Sequence, residues 1–212
     1  CEIEHPTSNA DYEACERELT PWGYDLACGD LWTEVYCRDR NAGYGDPNVV
    51  IVGLPDAAVR EAKERVRAAI ASTSNTFPSK RVVVNLSPAD LPKVGSAYDL
   101  PIALGVLAAN GKLPPGATDI VALGELALDG AVRPARGGLG AALVARDLGK
   151  PCLLPLQSVA ETAGREDLGV QAVRSLAHAV EVARGLHPGD EVEPVLPDTP
   201  EIPDLAEVRG QS

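Results

Sequence analysis

The sequence contains no methionine, a single phenylalanine and, after residue 45, only one tyrosine and no tryptophan. Position 1 is a cysteine, so we expect the sequence to begin inside a longer reading frame and to be a fragment. A core with so few aromatic side chains must be built from valine, leucine, isoleucine and alanine. With 212 residues the chain is long enough to bury such a core.

Long hydrophobic runs are also absent. The longest, residues 100–109, is half of the roughly 20 residues that a membrane-spanning helix needs. A signal for export has a basic start, then an apolar run and a small-residue cleavage site, and the sequence contains no such pattern. We therefore expect no membrane association, and the cytoplasm as the location.

A phosphate loop is missing as well. Nucleotide phosphates are held by a glycine-rich turn followed by lysine and then serine or threonine. The pattern Gly-x-x-x-x-Gly-Lys-Ser/Thr occurs nowhere in the 212 residues. We expect no cofactor in this chain and no ATP hydrolysis by it alone.

Residues 1–45 differ in composition from the rest of the chain. They hold four of the five cysteines and both tryptophans, without a Cys-x-x-Cys pair. A zinc site is disfavoured by this spacing, and a disulfide module conflicts with a cytoplasmic location. We interpret 1–45 as an atypical acidic segment that is not native to the domain. Residues 31–37 alternate and predict one strand, but a second strand has no clear counterpart.

Acidic charge is concentrated at the two ends of the chain. The formal net charge is −12, yet residues 46–188 hold fourteen acidic and fifteen basic side chains. An acidic protein is a poor ligand for nucleic acid, because phosphates are contacted by lysine and arginine. The near-neutral middle of the chain neither supports nor excludes a DNA contact.

Hydrophobic periodicity predicts alternating strands and helices. Asp56 is placed to cap a helix whose buried face is Val59, Ala62, Val66, Ala69 and Ile70. A later helix is predicted with Leu139, Leu143 and Val144 on its apolar side. The remaining predicted elements are strands at 49–52, 81–86, 120–128, 152–156 and 170–173, a hairpin turn at 129–130, and helices from Ser96 or Asp99 to about 110, at 158–163 and at 175–184. This order predicts a layered α/β sandwich.

Four sequence blocks carry a family resemblance. They are VVIVGLPDAAVRE at 49–61, VNLSPADLPK at 84–93, GSAYDLPIAL at 95–104 and LGELALDGAVRPARG at 123–137. In this order and spacing they resemble the N-terminal domain of the magnesium-chelatase-like AAA+ ATPases of the YifB and ComM type. The resemblance implies an α+β two-layer sandwich, similar to ribosomal protein S5 domain 2 and related to the Lon proteolytic domain without its catalytic dyad.

Domain boundaries follow from the resemblance and from composition. The family-like domain covers 46–188, an acidic proline-rich linker covers 189–202, and 203–212 resembles the start of a truncated AAA+ module. By resemblance, the parent protein uses ATP and Mg²⁺, forms a homo-oligomer, a hexamer, through the missing ATPase module, and acts in DNA processing such as branch migration during natural transformation. This domain would contribute DNA binding or ring assembly. The alternative is a purely structural oligomerisation domain.

A Lon-like serine peptidase is a second alternative. The segment around Ser96 resembles the one that carries the nucleophile of Lon, although Ala97 falls at the matching position. The lysine base expected within 137–143 is missing, and Lys150 comes too late. Without a base, serine is an ordinary alcohol. We therefore expect no catalytic residue, and interpret Ser96 as a loop or helix-cap residue.

Basic side chains at strand ends and loops are candidates for contacts with DNA or with another subunit. Lys93, Arg133 and Arg136 are favoured, because the glycine-rich backbone around 95 and 137 allows close approach. The full candidate set is Lys80, Arg81, Lys93, Arg133 and Arg136. Asp90, Asp99, Glu125 and Asp129 have turn or cap explanations, so no metal site is predicted.

Overall fold

The computed structural model describes residues 24–28, 31–38, 49–79, 81–162 and 165–190. These residues form a mixed α/β fold with a large sheet and a small hairpin, which confirms the α/β class, whereas the likeness to ribosomal protein S5 domain 2 and to the Lon proteolytic domain stays a prediction. The predicted linker beyond 190, the predicted start of an AAA+ module and most of the atypical segment 1–45 lie outside the described residues, so those boundaries stay predictions.

Seven strands form the main sheet, in the order β3-β4-β2-β1-β5-β8-β9, and two form a separate hairpin, β6-β7. Their bounds are β1 Tyr24–Cys28, β2 Leu31–Arg38, β3 Val49–Val52, β4 Arg81–Ser87, β5 Val121–Ala122, β6 Glu125–Leu126, β7 Val132–Arg133, β8 Cys152–Pro155 and β9 Val170–Val173. The helices are α1 Ala57–Ala71, α2 Asp99–Ala109, α3 Gly138–Leu148 and α4 Leu176–Ala183, with 3₁₀ turns at Leu156–Thr162 and Glu166–Leu168.

Six of the seven strands run in the same direction. β3 pairs parallel with β4, and β1, β5, β8 and β9 pair parallel in turn, whereas β2 is antiparallel to both its neighbours. The crossovers through α1, α2 and α3 all advance across the sheet in one direction. Because such crossovers are right-handed, these helices lie on the same face of the sheet.

The first helix forms as the sequence predicts. The Asp56 side chain accepts a hydrogen bond from the Val59 backbone N–H, which satisfies one of the unpaired donors of the first turn. The five residues predicted to form its apolar face, Val59, Ala62, Val66, Ala69 and Ile70, are all buried. Strand β4 agrees too, since its residues alternate between buried and half-buried positions.

The second helix is the centre of the core. All of its residues, from Asp99 to Ala109, are buried, and it packs against α1, β1, β2 and α4. A helix that is apolar on every side suits such a position. Within the described residues, no helix is both long and apolar enough to cross a membrane.

Strand β1 corrects the expectation that one strand of the sheet has no counterpart. Tyr24–Cys28 pairs antiparallel with β2 and parallel with β5, so it lies in the interior of the sheet. The predicted strand at 31–37 is confirmed as Leu31–Arg38. Residues 24–28 were missed because the unusual composition of 1–45 was interpreted as foreign to the domain.

Two further expectations were wrong in detail. The predicted strand 120–128 is split at Gly124 into β5, in the large sheet, and β6, in the hairpin. In α3 the buried face consists of Gly138, Ala141, Ala142 and Ala145, whereas Leu139 is exposed. Small residues face the core because α3 packs closely on β5 and β8.

Candidate functional site

Two loops are joined beyond the carboxyl ends of β3 and β4. The Asp56 N–H donates to the Lys93 carbonyl at 3.0 Å, and the Lys93 N–H donates to the Leu54 carbonyl at 3.1 Å. The second carboxylate oxygen of Asp56 accepts the Gly95 N–H at 3.0 Å. The loop 53–56 and the loop 88–98 are therefore held together as one unit, which we call the loop junction.

The loop junction continues into the β6-β7 hairpin. Gly124 donates its N–H to the Ala97 carbonyl and accepts the Leu100 N–H, both at 3.0 Å. The Ser96 hydroxyl donates to the Glu125 carboxylate. The backbone pairing of Glu125 with Arg133 then brings the hairpin arginine next to this loop. Three segments distant in sequence thus form one side of the molecule.

A buried ion pair, Arg65 with Asp99, lies next to the loop junction. The Asp99 side chain is fully buried and binds Arg65 through two hydrogen bonds, Nε to Oδ2 at 2.6 Å and Nη2 to Oδ1 at 2.9 Å. The Leu126 N–H also donates to Asp99, at 3.1 Å. Burial raises the pKa of Asp99, although the hydrogen bond from Arg65 opposes that rise. The same hydrogen bond raises the pKa of Arg65. This pair connects α1, α2 and the hairpin and is a structural contact.

Lys93 lies in the interior. Its side chain is fully buried, and the ammonium group donates to the Pro88 carbonyl within the same loop. A buried lysine is rare and needs hydrogen-bond partners. In this position the side chain supports the loop and is not accessible to a ligand, so its predicted contact with DNA or a subunit stays a prediction that the structure does not favour.

The other candidate contact residues fall in different places. Arg133 and Arg136 are exposed, on β7 and on the segment that follows it. Arg81 is half-buried at the start of β4. Since β4 has seven residues, Arg81 is about 20 Å from the loop junction. Lys80 lies outside the described residues. Of the candidate residues, Lys93 is part of the loop junction but buried, and Arg133 is the exposed one that pairing with Glu125 brings beside it, with Arg136 three residues further along the same segment.

Ser96 is a loop residue. It does not cap α2, because Tyr98 occupies the capping position and makes no side-chain hydrogen bond there. Its hydroxyl faces a carboxylate, and the nearby Lys93 ammonium is engaged by Pro88. The arrangement gives no support to a serine and lysine pair of the Lon type, and the absence of a catalytic residue stays a prediction.

Four carboxylates were weighed as metal ligands, and three of them have a different hydrogen-bond partner each. Asp99 is in the ion pair, Glu125 binds Ser96, and Asp129 accepts the Ala131 N–H at 3.0 Å in the hairpin turn. Asp90 is exposed on the loop. In the part of the chain that the structure describes, no three histidine, cysteine or acidic side chains are grouped to hold a metal ion.

The glycine-rich start of α3 is occupied by a carboxylate. The Leu139 N–H donates to the Glu161 carboxylate at 3.3 Å, and a Cβ on Gly138 would lie 3.2 Å from the same oxygen. A carboxylate therefore occupies the place where a phosphate would accept hydrogen bonds, and it would repel one. The start of α3 therefore does not fit a nucleotide phosphate.

Asp56 gives a prediction for the pH dependence of stability. Its pKa is lowered from the ordinary value of 3.8, first by the Val59 N–H and then by the Gly95 N–H. A lowered pKa stabilises the fold above the unfolded-state value, and this contribution is lost as the pH falls through the folded-state value. An asparagine offers only one oxygen, so its amide group would face the Gly95 N–H.

We expect Asp56→Asn to be less stable than the parent chain at pH 7, and the difference to shrink below pH 3.8 as Asp56 takes up its proton. The raised pKa of Asp99 acts in the opposite direction, but both chains contain Asp99, so it cancels in the difference. Urea unfolding from pH 7 to pH 3 measures this. A difference that is constant with pH would contradict it.

Comparison with known proteins gives consistent matches. The family profile "Subunit ChlI of Mg-chelatase" matches residues 39–158. An uncharacterized protein of Mycobacterium tuberculosis is 42% identical over 192 residues, which is 89% of this chain and 38% of that protein. The protein YifB of Escherichia coli is 44% identical over 111 residues, 52% of this chain and 22% of that protein.

The competence protein ComM of Haemophilus influenzae is 37% identical over 142 residues, covering 66% of this chain and 28% of that protein. The chain thus spans 38% or less of the length of these relatives. The loop junction and its supporting ion pair lie within the residues that the family profile covers.

Proposed function

Since the chain belongs to the ChlI family of magnesium-chelatase-like ATPases, in its YifB and ComM branch, we propose that it is the accessory N-terminal domain of a ComM-like AAA+ ATPase acting in DNA processing. Its role there is to bind DNA or to assist ring assembly. The name of the Haemophilus relative, a competence protein, supports a link to DNA uptake.

The proposed fold within this family is the two-layer sandwich of ribosomal protein S5 domain 2, which the Lon proteolytic domain shares. Helices on one face of a mixed sheet are compatible with it. Because this fold serves unrelated functions, it supports neither DNA binding nor catalysis by itself.

Nucleotide chemistry belongs to another part of the proposed whole protein. The chain contains no phosphate loop, and Glu161 occupies the glycine-rich start of α3. We therefore assign ATP, Mg²⁺ and hexamer formation to a separate ATPase module. No residue of this chain is assigned a step in ATP hydrolysis.

The observation that carries the DNA proposal is the exposure of Arg133 and Arg136 on one segment next to the loop junction. Phosphate contacts come from such side chains on loops and strand ends. The segment also contains Gly137, at φ 100, where no side chain limits the approach of a ligand. The described part of the chain is nearly neutral, so DNA affinity would depend on the local charge of this segment and not on the net charge.

We expect Arg133→Ala combined with Arg136→Ala to weaken the binding of branched or duplex DNA and to reduce the slope of log affinity against log salt by about 2. Fluorescence anisotropy at several salt concentrations measures both quantities. Lys63→Ala combined with Lys112→Ala is the matched control, because it removes the same charge from exposed positions elsewhere.

If the arginine pair leaves both DNA affinity and assembly of the protein unchanged, these residues are not the contact. If the control pair weakens binding equally, the effect is one of net charge and the assignment to the hairpin segment is wrong.

A second candidate function is that of a structural oligomerisation domain that does not touch DNA. It is favoured by apolar side chains exposed on the loop junction, among them Leu54 and Val94. Self-association that persists at high salt would support it, whereas DNA affinity that falls steeply with salt would support the first proposal.

A further inference from the structure

After α4 the chain returns to the edge of the main sheet. Strand β9 is the outermost strand on that side of the sheet. Asp190 forms an antiparallel bridge with Ala172 of β9, and its N–H donates to the Ala172 carbonyl at 2.9 Å. We call residues 188–190 the exit clasp. They attach the backbone to β9 at the point where it continues to residue 191.

Gly189 allows the exit clasp to approach β9 closely. A Cβ at this position would lie 2.7 Å from the Gln171 Cβ and 2.8 Å from the Ala172 backbone nitrogen. These atoms belong to the strand and cannot rotate away as the end of a long side chain can. A residue larger than glycine therefore does not fit here while the clasp lies against β9.

The side chains hold the exit clasp only weakly. The Oδ2 atom of Asp190 is 2.8 Å from the Arg174 Nε and 3.6 Å from the His178 Nδ1. This oxygen is buried, yet within the described residues no donor reaches it with the geometry of a hydrogen bond. The Arg174 side chain is 65% exposed. An ion pair that lies largely in water contributes little and is screened by salt, and a buried oxygen without a hydrogen bond is unfavourable.

The end of α4 is fixed without the exit clasp. The Leu186 N–H donates to the Glu181 carbonyl at 3.0 Å, and the Gly185 N–H donates to the Val182 carbonyl at 2.9 Å. With Gly185 at a φ of 70°, these two bonds form the Schellman arrangement that terminates a helix. The chain can therefore leave β9 from about residue 187 onwards while α4 stays intact.

We propose that the exit clasp is a releasable connection that sets how closely the chain beyond residue 190 is held to this domain. When it is closed, the backbone at Asp190 runs antiparallel to β9 and so away from the carboxyl ends of the parallel strands, where the loop junction lies. When it opens, residues 187–190 are freed and add up to about 14 Å of reach. The inference goes beyond the proposed function and does not depend on whether the domain binds DNA or assists ring assembly.

Amide hydrogen exchange of the 212-residue chain, followed by NMR, tests the proposal. The Asp190 N–H should exchange on the order of ten to fifty times more slowly than an unstructured amide, because one hydrogen bond and one exposed ion pair hold it. The amides of the buried helix α2 should exchange far more slowly, since they open only with the whole fold. This difference identifies a segment that opens by itself.

Two variants should open the exit clasp by different routes. Gly189→Ala should remove nearly all of the protection at residue 190, because the added Cβ meets the strand. Arg174→Ala should speed exchange at Asp190 about two- to fivefold, as the loss of an exposed ion pair does. Raising NaCl from about 0.05 to about 0.5 M should speed this exchange in the parent chain but hardly at all in Arg174→Ala.

Gly140→Ala and Asp167→Ala are the matched controls. Gly140 has no atom within 4 Å of an added Cβ, and Asp167 pairs with Arg146 and Arg165 in a different part of the domain. Each control removes the same residue type as one of the two clasp variants or the opposite charge of an ion pair. Both should leave the exchange of Asp190 unchanged.

Three outcomes would overturn the proposal. An Asp190 amide that exchanges as fast as an unstructured one would show that the clasp is not closed. Protection in Gly189→Ala equal to that of the parent would show that no close approach exists. If the clasp variants speed exchange in α2 as much as at residue 190, the segment opens only with the whole fold and is not a separate connection.

Discussion

Replacing Gly53 by alanine is expected to destabilise the protein by about 3 kcal/mol or more. A Cβ at this position would lie 2.0 Å from the Leu86 carbonyl oxygen and 2.8 Å from its carbon. These are backbone atoms of strand β4, which cannot move aside as a flexible side chain can. The positive φ of 97° adds about 1–2 kcal/mol of strain for an L-residue, and overpacking adds about 1–3 kcal/mol.

Gly140→Ala is the matched control. It lies within α3, has no atom within 4 Å of the added Cβ, and is exposed. A helical glycine is less favourable than alanine, so this variant should be stabilised by about 0.5–1 kcal/mol. Urea unfolding followed by circular dichroism compares the two. A Gly53→Ala chain as stable as the parent would show that β3 and β4 do not approach as described.

Removing the carboxylate of Asp99 is expected to have an effect of similar size. Asp99→Ala leaves the Arg65 guanidinium half-buried without its partner and the Leu126 N–H without an acceptor. Breaking one member of a buried pair costs about 3–5 kcal/mol. Glu64→Ala, an exposed carboxylate one residue from Arg65 on the same helix, should change stability by less than about 0.5 kcal/mol.

A double-mutant cycle separates the pair from its surroundings. Arg65→Met and Asp99→Asn are the single variants, and the double variant removes both charges but keeps an oxygen for the Leu126 N–H. Because the double variant leaves no unpaired buried charge, it should recover most of the stability that the single variants lose. Additive losses in the double variant would contradict this account.

The sequence predicts the parts of this fold whose cause is local. The apolar face and cap of α1 follow from spacing and from Asp56, and both are confirmed. The helix predicted at 175–184 is also confirmed, as Leu176–Ala183, and Ser175 accepts the His178 N–H at its start. In each case the deciding contacts lie within one or two helical turns.

The parts that the sequence did not predict depend on distant contacts. Asp99 was interpreted as a residue of the helix start, but its partner Arg65 is 34 positions away, and no local pattern connects them. Leu139 was assigned to the core and is exposed, since the close packing of α3 selects alanine and glycine. The burial of Lys93 was missed because only the folded loop shows what covers it.

The contact roles of the candidate site residues stay predictions. The three sequence blocks that carry Asp56, Ser96 and Glu125 meet in the fold, and this was not predicted, because the hydrogen bonds that join them connect residues 29 and 39 positions apart. Of the five basic residues, Arg133 and Arg136 are exposed beside the junction, whereas Arg81 is remote from it. Whether an arginine is exposed depends on how the fold packs around it, so the exposed members of this set could not be identified from residue type alone.

The one reversed strand of the sheet places its hairpin partner β1 beside a strand that is distant in the sequence. β2 and its hairpin partner β1 separate the β3-β4 unit from β5, β8 and β9, and β1 reaches β5 through the pairing of Ala27 with Val121. That contact closes a loop of more than ninety residues, which carries a large entropic cost. We therefore expect the pairing of β1 with β5 to form late in folding, and substitutions at this contact to change the rate of unfolding more than the rate of folding.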